Sequence, residues 1–325
     1  MENKLIRNYE QPLNLKEIQK VQLLFEKLFI ANLINNFNIL EVRSPLIFNE
    51  NLNTDTFELA ESRAINFDSS TNEGVFTIYN RYVYWLLNTI NKLAIKNNNG
   101  ILTHAHFINR DKENTNHSSM EENQLIIEYR YDNETDILQK ILKTARLIFN
   151  IIINTKREII PLFKAVPHIA KDNLDIIDLD LHHSKYKTFS MEEVEKELAQ
   201  AKGSVLLLNV LTLENEIIDD SAEEYLRVIT YNENSTQAYK LFNASIRKTL
   251  EDLKRESEAS ENYKEEYNFI KHFVSKEYPR TFNITIDLDN VLLFVMGLGH
   301  KAELQSSSEI GVIEKILKEK KIIHL

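Results

Sequence analysis

The chain has 325 residues, 43% of them hydrophobic, a formal net charge of −10 and no cysteine. That length can bury a sizeable core. The acidic balance argues against nonspecific nucleic-acid binding, which draws on basic surface, and the lack of cysteine removes disulfides, thiolate catalysis and cysteine-ligated zinc. The first twenty residues lack the apolar core of a signal peptide, and no apolar run reaches the roughly 20 residues of a membrane span. A cytoplasmic protein without a membrane or nucleic-acid partner is expected.

In chain order, apolar residues near helical spacing (Leu23, Leu24, Leu28, Ile30, Leu33, Ile34) predict an amphipathic helix over 14–36. "FNILEVRSPLIF" follows as a strand pattern interrupted by Pro45. "GVFTIYN" and "GILTHAHFIN" read as strands around a helix near 82–96, and "NQLIIEYRYDN" as a strand before a long helix over roughly 134–156. "KGSVLLLNVL" is a buried strand, and the stretch from Leu241 to Tyr278 reads as helical, with the charged run 249–267 as its solvated face. "TFNITIDL" is a strand, followed by helices near 289–297 and 309–319. Five prolines and six glycines are spread without a linker or repeat. One α+β domain over 1–325 is expected, a central, mostly antiparallel sheet flanked by helices.

Few residues announce chemistry. His104 and His106 share a strand face and His182 and His183 are adjacent, but no third ligand stands at zinc spacing, so no metal site is expected. In "EIIDDSAEEY", Asp219, Asp220, Glu223 and Glu224 read better as a helix N-terminus than as magnesium ligands. No nucleophile elbow, Walker loop or dinucleotide fingerprint is present. Gly297-x-Gly299 follows a helix rather than opening one, so Gly297 reads as a C-cap and not a phosphate loop.

Four segments resemble the aspartate–ammonia ligase family, asparagine synthetase A, which is similar to the catalytic core of class II aminoacyl-tRNA synthetases. They are "NNFNILEVRSPLIFNENLNTD", "FTIYNRYVYWLLNTI" around Trp85, "NGILTHAHFINRDKEN" and "YPRTFNITIDLDNVLLFVMGLG". The resemblance implies a class II synthetase-like core. It also implies a homodimer whose interface involves the N-terminal helix and the strand before Pro45, with Ile39, Val42, Leu46 and Ile47 in the contact.

It further implies ATP, magnesium and an aspartyl adenylate, yet the positions that would serve them have changed. Asn283, Ile284, Thr285 and Asp287 stand where the third motif is glycine-rich, and Asn290 stands at its nucleotide arginine. Asn109 occupies the second motif's arginine position, with Arg110 one residue late. Asn80 and Arg81, then Tyr84, Leu86 and Leu87, replace polar substrate contacts. "YKLFNASIRK" resembles a family helix in which Lys240 replaces a metal-binding glutamate while Arg247 keeps a family arginine. Glu128 replaces an aspartate.

Two readings follow. A catalytically degenerate relative would need no cofactor, with Arg110, Glu128, Arg247 and His104 lining a remnant pocket. An active or re-specified ligase would use ATP and magnesium, with Arg110, Arg247 and Glu128 in shifted roles.

Overall fold

Asn14 starts the first helix by a reciprocal cap: its side chain accepts from the Glu17 N–H at 3.0 Å, and the Glu17 carboxylate accepts from the Asn14 N–H at 3.2 Å. The computed structural model describes residues 5–6, 8–49, 65–71, 73–78, 82–112, 115–132, 136–163, 173–210, 222–249, 252, 278–304 and 318. Helix α1 (Leu15–Asn36) buries Ile18, Val21, Phe25, Phe29 and Leu33. Of the apolar residues expected to form its seam, Leu33 is on it and Leu23 is exposed. The aromatic pair Phe25 and Phe29, stacked 5.3 Å apart, sets the phase of the helix instead.

Strands β1 (Ile39–Arg43), β5 (Gly100–Ile108), β6 (Glu121–Arg130), β7 (Leu174–Asp178), β8 (Ser204–Leu208), β9 (Ala222–Asn232), β10 (Gln237–Arg247) and β11 (Thr281–Asp287) form one sheet, ordered β1-β5-β6-β11-β10-β9-β8-β7. Only the two edge pairings, β1 with β5 and β7 with β8, are parallel. The interior pairings are antiparallel. A small sheet of β2 (Ile47–Asn49), β3 (Ile65–Asp68) and β4 (Val75–Ile78) stands apart. Helix α1, helix α3 (Ile137–Ile159) and helix α6 (Leu288–Met296) cover one face of the large sheet, sharing a core with Leu125, Ile127, Phe242, Ala244, Phe282 and Ile284. On the other face helix α2 (Val83–Lys92) packs Leu86 and Ile90 on Ile101, Ala105 and Ile126. Helix α5 (Met191–Lys202), which follows the single turn α4 (His183–Tyr186), packs Val194 and Ala199 on Val205, Leu207 and Ile229. No helix among the described residues is long and apolar enough to cross a membrane.

Two expectations are corrected. Residues 241–247 are not helical: they lie in β10, because their alternation places Phe242 and Ala244 in the core between β9 and β11. Glu223 and Glu224 do not cap a helix either; both lie in β9. Ile39 is buried in the protomer's own core and Val42 packs against the second cluster, whereas Leu46 and Ile47 are about half exposed. The helix expected over 309–319 lies outside the described residues apart from Lys318, and of the charged run 249–267 only Thr249 and Asp252 are described.

Gly297 ends α6 in the left-handed region (φ 67°), as a C-cap. Gly299 has a packing reason: a Cβ there would meet Leu5 at 2.4 Å. The loop is a clasp for the N-terminal segment. Tyr9 Oη donates to Glu303 at 2.8 Å, and the N–H groups of Gly299 and His300 donate to the same carboxylate at 3.0 and 2.9 Å. Burial pushes the Glu303 carboxyl up to about 7, against the lowering effect of those hydrogen bonds.

A carboxyl that titrates near 4.5 when unfolded and near 7 when folded holds its proton more tightly in the folded chain. Its contribution to stability is complete below the unfolded value and is lost as pH rises through 7. Glu303→Gln, which keeps a neutral side chain of the same shape, is expected to match the parent near pH 4.5 and to exceed it by on the order of 2–3 kcal/mol at pH 8. Urea unfolding at the two pH values checks this.

Candidate functional site

Between the strips covered by α2 and α5, the second face of the sheet runs over β6, β11 and β10. Strand alternation decides what is shown there. Phe282, Ile284 and Ile286 enter the helical core, so Thr281, Asn283, Thr285 and Asp287 face the other way. Register places Glu128 and Ser245 on either side of Asn283, and Ile126 and Asn243 on either side of Thr285. The result is a block of neutral polar side chains, Asn243, Ser245, Asn283 and Thr285, flanked by charged groups at both ends.

At one end, Arg247 spans β11 to reach Glu128. Its Nε and Nη2 donate to the two carboxylate oxygens at 3.1 and 3.0 Å, and Thr281 Oγ1 donates to the same carboxylate at 2.6 Å. Glu128 is fully buried and Arg247 nearly so. At the other end, Asp287 caps α6 by accepting from the Asn290 N–H at 2.9 Å. The buried Lys301 ammonium lies 3.2 Å from Asp287 and 3.9 Å from Asp289, and these carboxylates, with Glu122, push its pKa up against desolvation. Beside this cluster His117 stacks on Tyr239 at 4.3 Å, and burial with the nearby Lys301 charge drops the imidazole to about 3, so it stays neutral. Towards β9, Arg227 donates to Glu224 at 2.8 Å and to Glu195 of α5 at 2.7 Å.

The residues singled out from the sequence therefore separate. Glu128, Arg247, Asn283 and Asp287 share one face. Lys240 sits beside a bulge of β10, half-buried, and its carbonyl accepts from Asn290 Nδ2 at 2.9 Å. That bond ties α6 to β10 through two of the positions singled out from the sequence. Asn109 and Arg110 lie beyond the end of β5, in the turn, where Asn109 N–H donates to the Met120 carbonyl at 2.8 Å and Arg110 is 3.8 Å from Asp111. His104 pairs with Leu125, an odd number of residues from Glu128's partner Ile101, and so lies on the opposite face. There its ring contacts Asn123 and stands 4.6 Å from that of His106. Asn80, Arg81 and the side chain of Tyr84 lie outside the described residues; Leu86 is in the α2 core. Thr281, Asn243, Ser245, Arg227 and Lys301 were not singled out from the sequence.

A sheet of this order and mixed direction has the architecture of the class II aminoacyl-tRNA synthetase core. Asparaginyl-tRNA synthetase of Entamoeba histolytica in complex with asparaginyl-adenylate superposes with a TM-score of 0.63 at 9% identity, covering 90% of this chain. The Pyrococcus horikoshii enzyme, also with asparaginyl-adenylate, gives 0.63 at 11% over 90%. The chain spans only 66% and 68% of those proteins. The sequence model of aspartate-ammonia ligase matches residues 15–321, and the chain belongs to that family. Aspartate–ammonia ligases of Clostridium perfringens (strain SM101 / Type A) and Malacoplasma penetrans (strain HF-2) are 22% and 20% identical; alignment with the first covers 93% of both chains, with the second 91% of this chain and 94% of its own.

Breaking the central ion pair tests its place in the fold. Arg247→Met strands a buried carboxylate and is expected to cost about 3–5 kcal/mol, while Glu128→Met combined with Arg247→Met should regain most of that loss. Urea unfolding of the single and double variants measures both.

Proposed function

We propose that this chain is a catalytically degenerate member of the aspartate-ammonia ligase family, a single class II synthetase-like domain that binds without carrying out the ATP-dependent ligation. The observation that carries this reading is the state of the cations. Arg247 is closed on Glu128, Arg227 on Glu224 and Glu195, and Lys301 on Asp287 and Asp289. A triphosphate is held by charge-assisted donors that have no anion of their own to satisfy. Drawing even one of these guanidinium or ammonium groups onto a phosphate would leave a buried carboxylate unpaired, at about 3–5 kcal/mol. That is a loss of at least about a hundredfold in affinity per contact.

Magnesium fits no better. With a nucleotide it calls on one or two carboxylates, and those at the strip's end, Asp287 and Asp289, are already neutralised by the buried Lys301. The residues present do not suit ATP–magnesium, and no step is assigned to it. Titration of ATP–magnesium by calorimetry, with and without aspartate, is expected to give no binding heat up to millimolar nucleotide. Micromolar binding would restore the ligase reading.

The proposal includes a cytoplasmic homodimer joined through α1, β1 and β2. Leu46 and Ile47, with 48% and 47% of their surface exposed, and Leu40 at 50%, present apolar area beside the sheet edge formed by β1. Sedimentation velocity should give a dimer for the parent and a monomer for the double variant Leu46→Lys, Ile47→Lys. An unchanged sedimentation coefficient would rule out this face.

A further inference from the structure

The turn that leads into β5 carries a chemically labile pair, Asn99–Gly100, the only Asn-Gly in the chain. Each member has its own local reason. Gly100 is fixed by packing: a Cβ there would meet the Glu128 carbonyl oxygen at 2.6 Å and the Tyr129 ring at 3.0 Å, so no larger residue fits. Asn99 is half-buried and is held by Asn38, the residue before β1, whose Nδ2 donates to Asn99 Oδ1 at 2.7 Å. Two separate demands of the fold therefore set an asparagine side chain beside a glycine amide that no side chain shields.

That juxtaposition has a chemistry of its own. The Gly100 nitrogen can attack Asn99 Cγ and close a cyclic succinimide. The new bond is N–Cγ; the bond broken is Cγ–Nδ2, and ammonia leaves with the proton of the Gly100 N–H. Water then opens the ring at one carbonyl or the other, leaving an aspartate or an isoaspartate at position 99. Water is the only co-reactant.

We propose that Asn99 is a deamidation site of this protein and that Asn38 restrains it by holding both reacting groups in the folded chain. The Gly100 N–H donates to the Asn38 carbonyl at 3.2 Å, so the nucleophile is engaged by the same residue that holds the side chain. The main chain around them is tied as well. Asn98, in the left-handed region at φ 63°, donates its N–H to the Arg130 carbonyl at 2.9 Å. The Arg130 N–H donates to the Asn99 carbonyl at 2.9 Å, and Tyr129 Oη donates to the Asn98 carbonyl. Ring closure needs the Gly100 nitrogen released and the Asn99 side chain turned back over the main chain, which breaks both bonds to Asn38. Reaction therefore goes through local opening of the turn, and the open population rises when a hydrogen bond that holds it shut is removed. An isoaspartate would lengthen the main chain where β5 begins, at the residue paired with Ile39 of β1 and Tyr129 of β6.

The test follows conversion at position 99 in the full-length protein during incubation at mildly alkaline pH. Peptide mapping by mass spectrometry and enzymatic methylation of isoaspartate read the product. The urea-unfolded parent, in which the turn is absent, should convert fastest, and the folded parent much more slowly. Asn38→Ala removes the side-chain donor and leaves the carbonyl. Because Asn38 is exposed, this variant should keep a melting temperature near the parent's, and it should convert about three- to tenfold faster than the folded parent. Asn99→Gln, whose longer side chain closes a ring far less readily, should give no product at position 99. A folded parent that converts as fast as the unfolded chain overturns the proposal, as does an unfolded chain that leaves Asn99 intact. So does a folded Asn38→Ala variant that converts no faster than the parent, since Asn38 would then polarise Asn99 Cγ for attack or play no part. If Asn38→Ala does not fold, the comparison of folded with unfolded parent decides.

Discussion

The Asp287 carboxylate is the point on which the site end of the structure turns. It is the last residue of β11, it caps α6 through the Asn290 N–H, and it pairs with Lys301. Strand, helix and the loop after the helix are thereby fixed by one side chain. The loop carries the constraint outward, since the Lys301 N–H donates to the Asn116 carbonyl and Asn116 Nδ2 donates to the Gly299 carbonyl at 3.0 Å. Two residues beyond Lys301, Glu303 receives the Tyr9 hydroxyl. An acid at the junction of β11 and α6 is thus a structural keystone. Its charge is spent on holding a buried lysine.

The electrostatics of the polar strip have the same logic at both ends. A buried ion pair gains Coulomb energy only by repaying a desolvation cost of several kcal/mol per ion, so it is close to neutral as a source of stability. It is far from neutral as a constraint. Once Arg247 is bidentate on Glu128, with Thr281 satisfying the same carboxylate, another anion must compete with a fully formed geometry in a low-dielectric setting.

What the sequence made legible follows the division between core and strip. The strands at 100–108, 121–130 and 281–287 were readable because their alternation is set by a core on one face. Gly297 was readable as a C-cap because it follows an apolar run that no phosphate loop would follow. The stretch Asn243–Arg247 misled because the charged sequence after it has helical character; only pairing with β9 and β11 shows that Phe242 and Ala244 point one way and Asn243 and Ser245 the other. The start of α5 had a legible signal that went unread, the capping box of Ser190 with Glu193 ahead of "MEEVEKELAQAK". The partners of Arg247 and Lys301 lie more than a hundred residues away for one and in the preceding strand and helix for the other, and no local pattern announces either. Family resemblance located the strip, and the register of the sheet said what faces it.

That register also bears on why the strip is polar at all. If this face served only to carry a fold, apolar side chains at positions 128, 243, 247 and 283 would pack at least as well. Replacing buried pairs by well-packed hydrophobic residues is often neutral or stabilising by 1–4 kcal/mol. The adjacent strip under α2 makes the comparison within one molecule, since Ile101, Ala105 and Ile126 on the same face are apolar and sealed by Leu86 and Ile90. Two strands further on, Ser245 and Asn283 stand opposite each other, with Asn243 and Thr285 as the next pair. The boundary between the two surfaces falls within β6, where Ile126 faces the helix and Glu128 faces the strip. A sheet that can switch from apolar to polar over two residues is specifying a surface rather than only filling a core. Fold alone does not fix what that surface serves; the pairing of its charges is what narrows it.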